Sequence, residues 1–297
     1  MRINSGLLPV FCSAAILLCN SCGQTPKDNA DSTGSEEKQF GQFLDSLKQA
    51  GVSDLDKTNE IRKYLAQRID LGQSKDSLAF NYHQIPYDSL SVFHCLELFQ
   101  ENNLTAKCGL SSYLLSKLLE NAGYETYIYD CGFQIPFTHE FVLVKLNGKL
   151  VVQDSYYNVT FNDAKNEPKD FIQMLTEIRN GDFNDVKVAG EYVTTEFWME
   201  PEPNWDSLFS DEGNKKFFDK YVEKVSPADG RTEVLMNRSF EAFTGRSLEA
   251  MKSLLKEEGF AENYLFLYLK PLHVLDGTDG KEDSILRKQI EAVVGMQ

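Results

Sequence analysis

The stretch "HEFVLVKLNGKLVVQD", residues 139–154, constrains this chain more than any other. Asn-Gly between two alternating apolar runs is the strongest short-range signal for a two-residue hairpin, because both turn positions need positive φ. With Asn147 and Gly148 as the turn, Leu146 faces Lys149, Phe141 faces Asp154 and His139 faces Tyr156. Side chains on one face recur every second residue, so His139, Phe141, Asp154 and Tyr156 share a side. His139 and Asp154 then become diagonal neighbours roughly 7 Å apart at the backbone, close enough for a carboxylate to reach an imidazole nitrogen. A bulge at the turn would move one strand's side chains to the other face and undo this.

A helix precedes the hairpin. In "TAKCGLSSYLLSKLLENAGYE" (105–125), Leu110, Tyr113, Leu114, Leu118 and Ala122 lie at helical spacing, Thr105 can cap the start and Gly123 ends it. Cys108 therefore falls in the first turn. A thiol is a weak nucleophile until it loses its proton, and a helix N-terminus together with an imidazolium favours the thiolate. His139 would be base and then acid, Asp154 would fix its tautomer, and the first-turn N–H groups could donate to an oxyanion. Asp130 is a competing orienter of the imidazole. The plainer readings are a Cys108 buried as a small apolar residue, a structural His139 and an ordinary strand-end Asp154.

Other elements follow the same periodicities. Helices are expected from Phe40, over 57–69, and over 88–103 with Asp88 or Ser89 as cap. "YETYIYDC" (124–131) reads as a strand before the hairpin. Beyond 163 the pattern predicts helices at 169–179, 206–225, 247–258 and 283–294, and strands at 186–198 and 264–269. The class is α+β, helices followed by an antiparallel sheet, with an additional α+β region over 166–297. Residues 166–297 are either a separate domain or an elaboration packed on the first.

The formal charge of -15, with no basic run, argues against nucleic acid as a partner. Cys95 and Cys131 could form a disulfide in an oxidising compartment or stay as two independent buried thiols; a bridge from Cys108 to Cys131 would abolish the chemistry above. His83, His94 and His273 have no partners at ligand spacing, and no CxxC or HExxH follows residue 22, so neither a metal site nor a cofactor is expected. "DSL" at Asp45, Asp76, Asp88 and Asp206, with "DSI" at Asp283, reads in several places as helix capping and resembles an O-glycosylation signal of some Gram-negative lineages.

The N-terminus "MRINSGLLPVFCSAAILLCNSCGQ" has a positive charge at Arg2 and an apolar run from Leu7 to Leu18, too short to span a bilayer. It resembles a bacterial lipoprotein signal over 1–21 with Cys22 as the lipidated thiol; Cys19 is the alternative, and plain cleavage to a soluble periplasmic protein is another. Residues 22–39 are polar and read as a disordered tether, placing a folded body from 40 onward on a membrane of the cell envelope.

At Cys108, His139 and Asp154 the chain resembles the transglutaminase-like superfamily, whose members share a papain-like core. "AKCGLSSYLLSKLLENAGYE" matches the family's Cys helix and "THEFVLVKLNGKLVVQD" its His and Asp strands. The resemblance covers roughly 40–160, within a catalytic domain over 40–165. It implies a cysteine peptidase or amidase that forms a thioester on Cys108 and acts on a protein or peptide. A cross-linking transamidase with the same triad and a non-catalytic surface-binding lipoprotein are the alternatives. The family often has Gly two residues before the Cys, Ala-Trp after the His and Pro after the Asp, where this chain has Ala106, Glu140-Phe141 and Ser155. The aromatic that helps form the oxyanion hole in some members has no obvious counterpart in this chain; Asn102 and Asn103 are the candidates for its role.

Overall fold

The computed structural model describes residues 35–69, 90–102, 106–132, 138–190, 241, 245–260 and 262–295. Among them the protein is α+β: seven α-helices, one 3₁₀ helix and an antiparallel sheet. Three helices come first, α1 (Ser35–Ala50), α2 (Asp54–Ala66) and α3 (Val92–Asn102). α1 begins five residues ahead of Phe40, so residues 35–39 belong to the folded body and not to a tether. Its first turn is held by Glu36, which accepts from the Tyr64 hydroxyl at 2.7 Å and pairs with Arg68. Ser53 caps α2 through the Asp56 N–H. At α3 the hydroxyl that accepts from the first turn is Ser91, from the His94 N–H at 3.2 Å; the expected caps Asp88 and Ser89 lie outside the described residues.

α4 (Cys108–Asn121) is followed by β1 (Thr126–Gly132), β2 (Thr138–Leu146) and β3 (Lys149–Gln153). Asn147 and Gly148 sit at φ 52° and 82°, and the pairing runs from Leu146 with Lys149 to Val142 with Gln153, the register the Asn-Gly turn demands. The pairing stops there. Asp154 exchanges backbone hydrogen bonds with Val159 instead, so residues 155–158 form a turn and the expected pairing of His139 with Tyr156 does not occur. Opposite His139 on its other side stands Cys131 of β1.

The second half completes this sheet. β4 (Thr160–Asn162) pairs with β5 (Lys187–Ala189), and α5 (Phe171–Arg179), capped by Asp170, lies between them in sequence. α6 (Leu248–Glu257) and α7 (Ser284–Val294) agree with the helical periodicity, and Asp283 caps α7 through the Ile285 and Leu286 N–H groups. Asp45, by contrast, lies inside α1. Residues 262–268 are a 3₁₀ helix where a strand was expected at 264–269. Every side chain over 264–269 is buried, and a continuous apolar run does not by periodicity alone tell a strand from a buried helical turn. The strand comes next, as β6 (Lys270–Asp276), and the sheet order is β3-β2-β1-β6. The region after 166 is therefore an elaboration built into the sheet that carries His139. The strand expected over 186–198 is described only through 190, and the helix expected at 206–225 lies outside the described residues.

The sheet separates two cores. One face packs Val142, Val144, Leu146 and Val151 against Leu110, Leu114 and Leu118 of α4 and the helices before it. The other packs Tyr129, Cys131, Phe141 and Leu143 against α5, α6, α7 and the 3₁₀ helix. Cys95 belongs to the first core and Cys131 to the second, and both are free thiols, so the disulfide between them is not formed.

Candidate active site

α4 starts at the cysteine. The N-cap residue is Lys107, whose side chain makes no capping bond; Thr105, the expected cap, lies outside the described residues. Lysine has no acceptor to offer a first-turn N–H, so this helix start is not closed by its own N-cap side chain. The first turn instead sits against β2. The Ser112 hydroxyl donates to the Glu140 carbonyl at 2.9 Å, and a Cβ on Gly109 would stand 3.1 Å from Glu140 Oε1. The residue next to the cysteine thus touches the residue next to His139. Cys108, 8% exposed, belongs to the same buried cluster as Phe141, Tyr156, Tyr157 and Phe266.

Those four rings surround the imidazole. Their centroids lie 5.9, 6.0, 4.9 and 5.0 Å from that of His139, in the order just given. His139 Nε2 is 2.7 Å from Asp154 Oδ2, and both side chains are fully buried. A carboxylate can only accept, so with Asp154 ionised the proton of this bond is on Nε2, and a neutral ring then has its lone pair on Nδ1. The other carboxylate oxygen, Oδ1, accepts from the Tyr156 N–H at 2.9 Å and the Tyr157 N–H at 3.0 Å. Asp154 is fixed on both sides. Asp130, the competing orienter, lies in β1 opposite Glu140 and His273, whereas the bond to the imidazole is made by Asp154.

Cys131 is a thiol of another kind. Its Sγ donates to the His139 carbonyl at 3.2 Å, and burial, followed by the nearby carboxylates Asp130 and Asp154, pushes it well above the ordinary thiol range. Burial and these carboxylates favour its protonated form. His94 and His273 make side-chain pairs near the surface, with Glu97 at 3.4 Å and Glu282 at 3.2 Å, while His83 lies outside the described residues. Asn103 also lies outside them, as does the side chain of Asn102, the last residue of α3.

Three contributors escape a sequence reading. Phe266, which stacks on Tyr157 at an interplanar angle of 6°, comes from the 3₁₀ helix far along the chain and carries no motif. Glu140, 6% exposed against the α4 start, could have been found from strand alternation, since it must face opposite to His139. Arg62, beneath the Asp154 turn, sits among ordinary helix residues and gives no local signal. No protein-family model, no curated protein and no solved structure matches this chain.

Proposed function

We propose that the protein is a transglutaminase-like thiol enzyme with a papain-like catalytic core, acting on amide bonds through Cys108, His139 and Asp154. The observation that carries this reading is the buried 2.7 Å bond between His139 Nε2 and Asp154 Oδ2, at the end of β2 that receives the first turn of α4. His139 Nδ1 takes the Cys108 proton, and the thiolate attacks the amide carbonyl carbon. The carbonyl oxygen becomes an oxyanion facing the first-turn N–H groups of α4. Collapse breaks the C–N bond, the leaving amine takes the proton from His139, and a thioester remains on Cys108. Water, deprotonated by His139, then attacks the thioester; the carboxylic acid departs and the thiol is restored. Asp154 keeps the ring oriented and offsets the imidazolium charge.

Hydrolysis is the main reading, as a peptidase or amidase. With an amine in place of water the same steps give a transamidase. The N-terminal leader lies outside the described residues; its sequence supports a lipid anchor on Cys22 that holds the enzyme to the cell envelope, its protein or peptide substrate meeting it there.

The test is alkylation with limiting iodoacetamide across roughly pH 5 to 9, the range that separates an activated thiol from an ordinary one. Peptide mass mapping would follow Cys95, Cys108 and Cys131 separately. Cys108 is expected to label fast at the acidic end, and that labelling should vanish in His139→Ala. Cys108 labelling only in the ordinary thiol range, in both proteins, would favour a non-catalytic binding protein. On a peptide amide that the enzyme accepts, Cys108→Ser and His139→Ala should each lower turnover by on the order of 10³-fold or more.

A further inference from the structure

The turn that carries Asp154 rests on a buried cation that the reaction above leaves without a task. Arg62 of α2 is 1% exposed. Its Nε donates to Asn158 Oδ1 at 3.0 Å, and its Nη1 donates to Gln153 Oε1 at 2.5 Å and to Asn59 Oδ1 at 3.4 Å. Gln153 is fixed in turn, donating to Thr58 Oγ1 and Asn59 Oδ1. The guanidinium thus grips the residue before Asp154 and the residue before Val159, the two ends of the turn. The chain passes close over it at Gly190, φ 119°, where a Cβ would run into the Asn158 carbonyl and stand 3.1 Å from Arg62 Nη2.

These amide oxygens carry no charge. A guanidinium so far from water is costly unless an anion compensates it. Burial pulls Arg62 down to about 10, and the largest influence holding it up is Asp154, ahead of Glu60 and Tyr264. Asp154 is equally buried. The titratable groups that interact with it are His139 from β2, Cys131 from β1 and Arg62 from α2, beside Tyr156 and Tyr157 of its own turn. Of these, Arg62 alone is a permanent cation.

We propose that Arg62 is the fixed counter-charge of Asp154, a positioning residue that keeps the carboxylate ionised and so keeps the His139 ring in the one tautomer and orientation its reaction needs. This rests on the reading of His139 and Asp154 as part of a catalytic triad. The two buried charges, Arg62 and Asp154, then offset each other on the two sides of the turn.

The test compares Arg62→Met, Arg62→Gln and Arg62→Lys in the full chain, each checked for folding by circular dichroism. Two quantities are read: the downfield proton resonance of the His139 Nε2–H, assigned by its loss in His139→Ala, and the pH at which Cys108 begins to react with iodoacetamide. The neutral variants should lose the resonance, and their labelling onset should move up by about one pH unit or more. Lys, which keeps the charge but not the fork of hydrogen bonds, should retain both. Either neutral variant folding with the resonance and onset unchanged would overturn the proposal, and so would a folded Lys variant as damaged as Met and Gln, because geometry and not charge would then be at work. If the unaltered protein lacked low-pH labelling while the resonance still followed charge through the series, the enzyme reading would fail and the positioning role would stand.

Discussion

The Asp154 carboxylate divides its two oxygens between chemistry and architecture, one on the His139 ring and one on the N–H groups of its own turn. Substitutions there separate the two tasks. Asp154→Ala should leave two buried N–H groups without an acceptor, at a cost of about 1–3 kcal/mol each, and should lower the denaturation midpoint markedly. In Asp154→Asn the amide oxygen can still accept from the turn, while its NH₂ can only donate toward the ring. That variant keeps the turn bonds but leaves Arg62 without its counter-charge, so it should be destabilised less than Asp154→Ala and yet lose low-pH labelling of Cys108, because the imidazole is driven to the wrong tautomer. Equal loss of stability in both would deny the separation. The pairing of His139 with Asp154 was legible from sequence because an Asn-Gly turn fixes register locally. The Tyr156 position was not, since the chain leaves the ladder at Asp154 for a turn whose support comes from Arg62, more than ninety positions earlier.

Elements carry the site only as far as they hold each other, and β6 is held at a tight place. Just past it, the Gly277 N–H donates to the Thr126 carbonyl at 2.9 Å. A Cβ there would collide with Thr126 Oγ1 and Glu120 Oε1 and stand 2.6 Å from Ser116 Oγ. Those side chains already bond one another, Ser116 with Thr126 at 2.7 Å and Thr126 with Glu120 at 3.3 Å. Gly277→Ala must therefore push β6 from β1 or break this trio, and a loss of about 1–3 kcal/mol is expected in urea unfolding. An unchanged midpoint would mean the strand end has slack. Helices with caps and regular apolar spacing were legible here, α7 behind Asp283 above all. The 3₁₀ helix over 262–268 was not, because a run buried on every side has no polar face to reveal its period.

At the scale of the whole molecule the two halves share one sheet and the core on one of its faces, so a fragment ending near residue 165 should not fold. It would lack β6 beside β1 and the α5, α6 and α7 side chains that bury Tyr129 and Phe141. A dispersed amide spectrum from that fragment would contradict this. The shared core also sets an alkaline limit. Burial holds Tyr129 and Cys131 well above their ordinary values of 10.0 and 9.0. Below about pH 8 both are protonated whether the chain is folded or not. Above it the unfolded chain releases protons that the folded protein keeps, so stability falls as pH rises, by up to about 1.4 kcal/mol per pH unit for each group. Urea midpoints should drop between pH 8.5 and 10.5, with a shallower drop in Cys131→Ala; a midpoint that rises with pH would refute the burial argument.

The order β3-β2-β1-β6 also imposes an order in time. β1, β2 and β3 emerge from a ribosome together and can pair at once, but the open edge of β1 waits for residues 270–276, and the imidazole waits for Phe266. Contacts so distant in sequence form late, because a long loop must close before they return any energy. Until residue 276 has been delivered, one strand edge is uncovered and the His139 pocket lacks a wall. A strand edge left open through most of folding, and a pocket closed only at its end, both follow from where a single strand was placed.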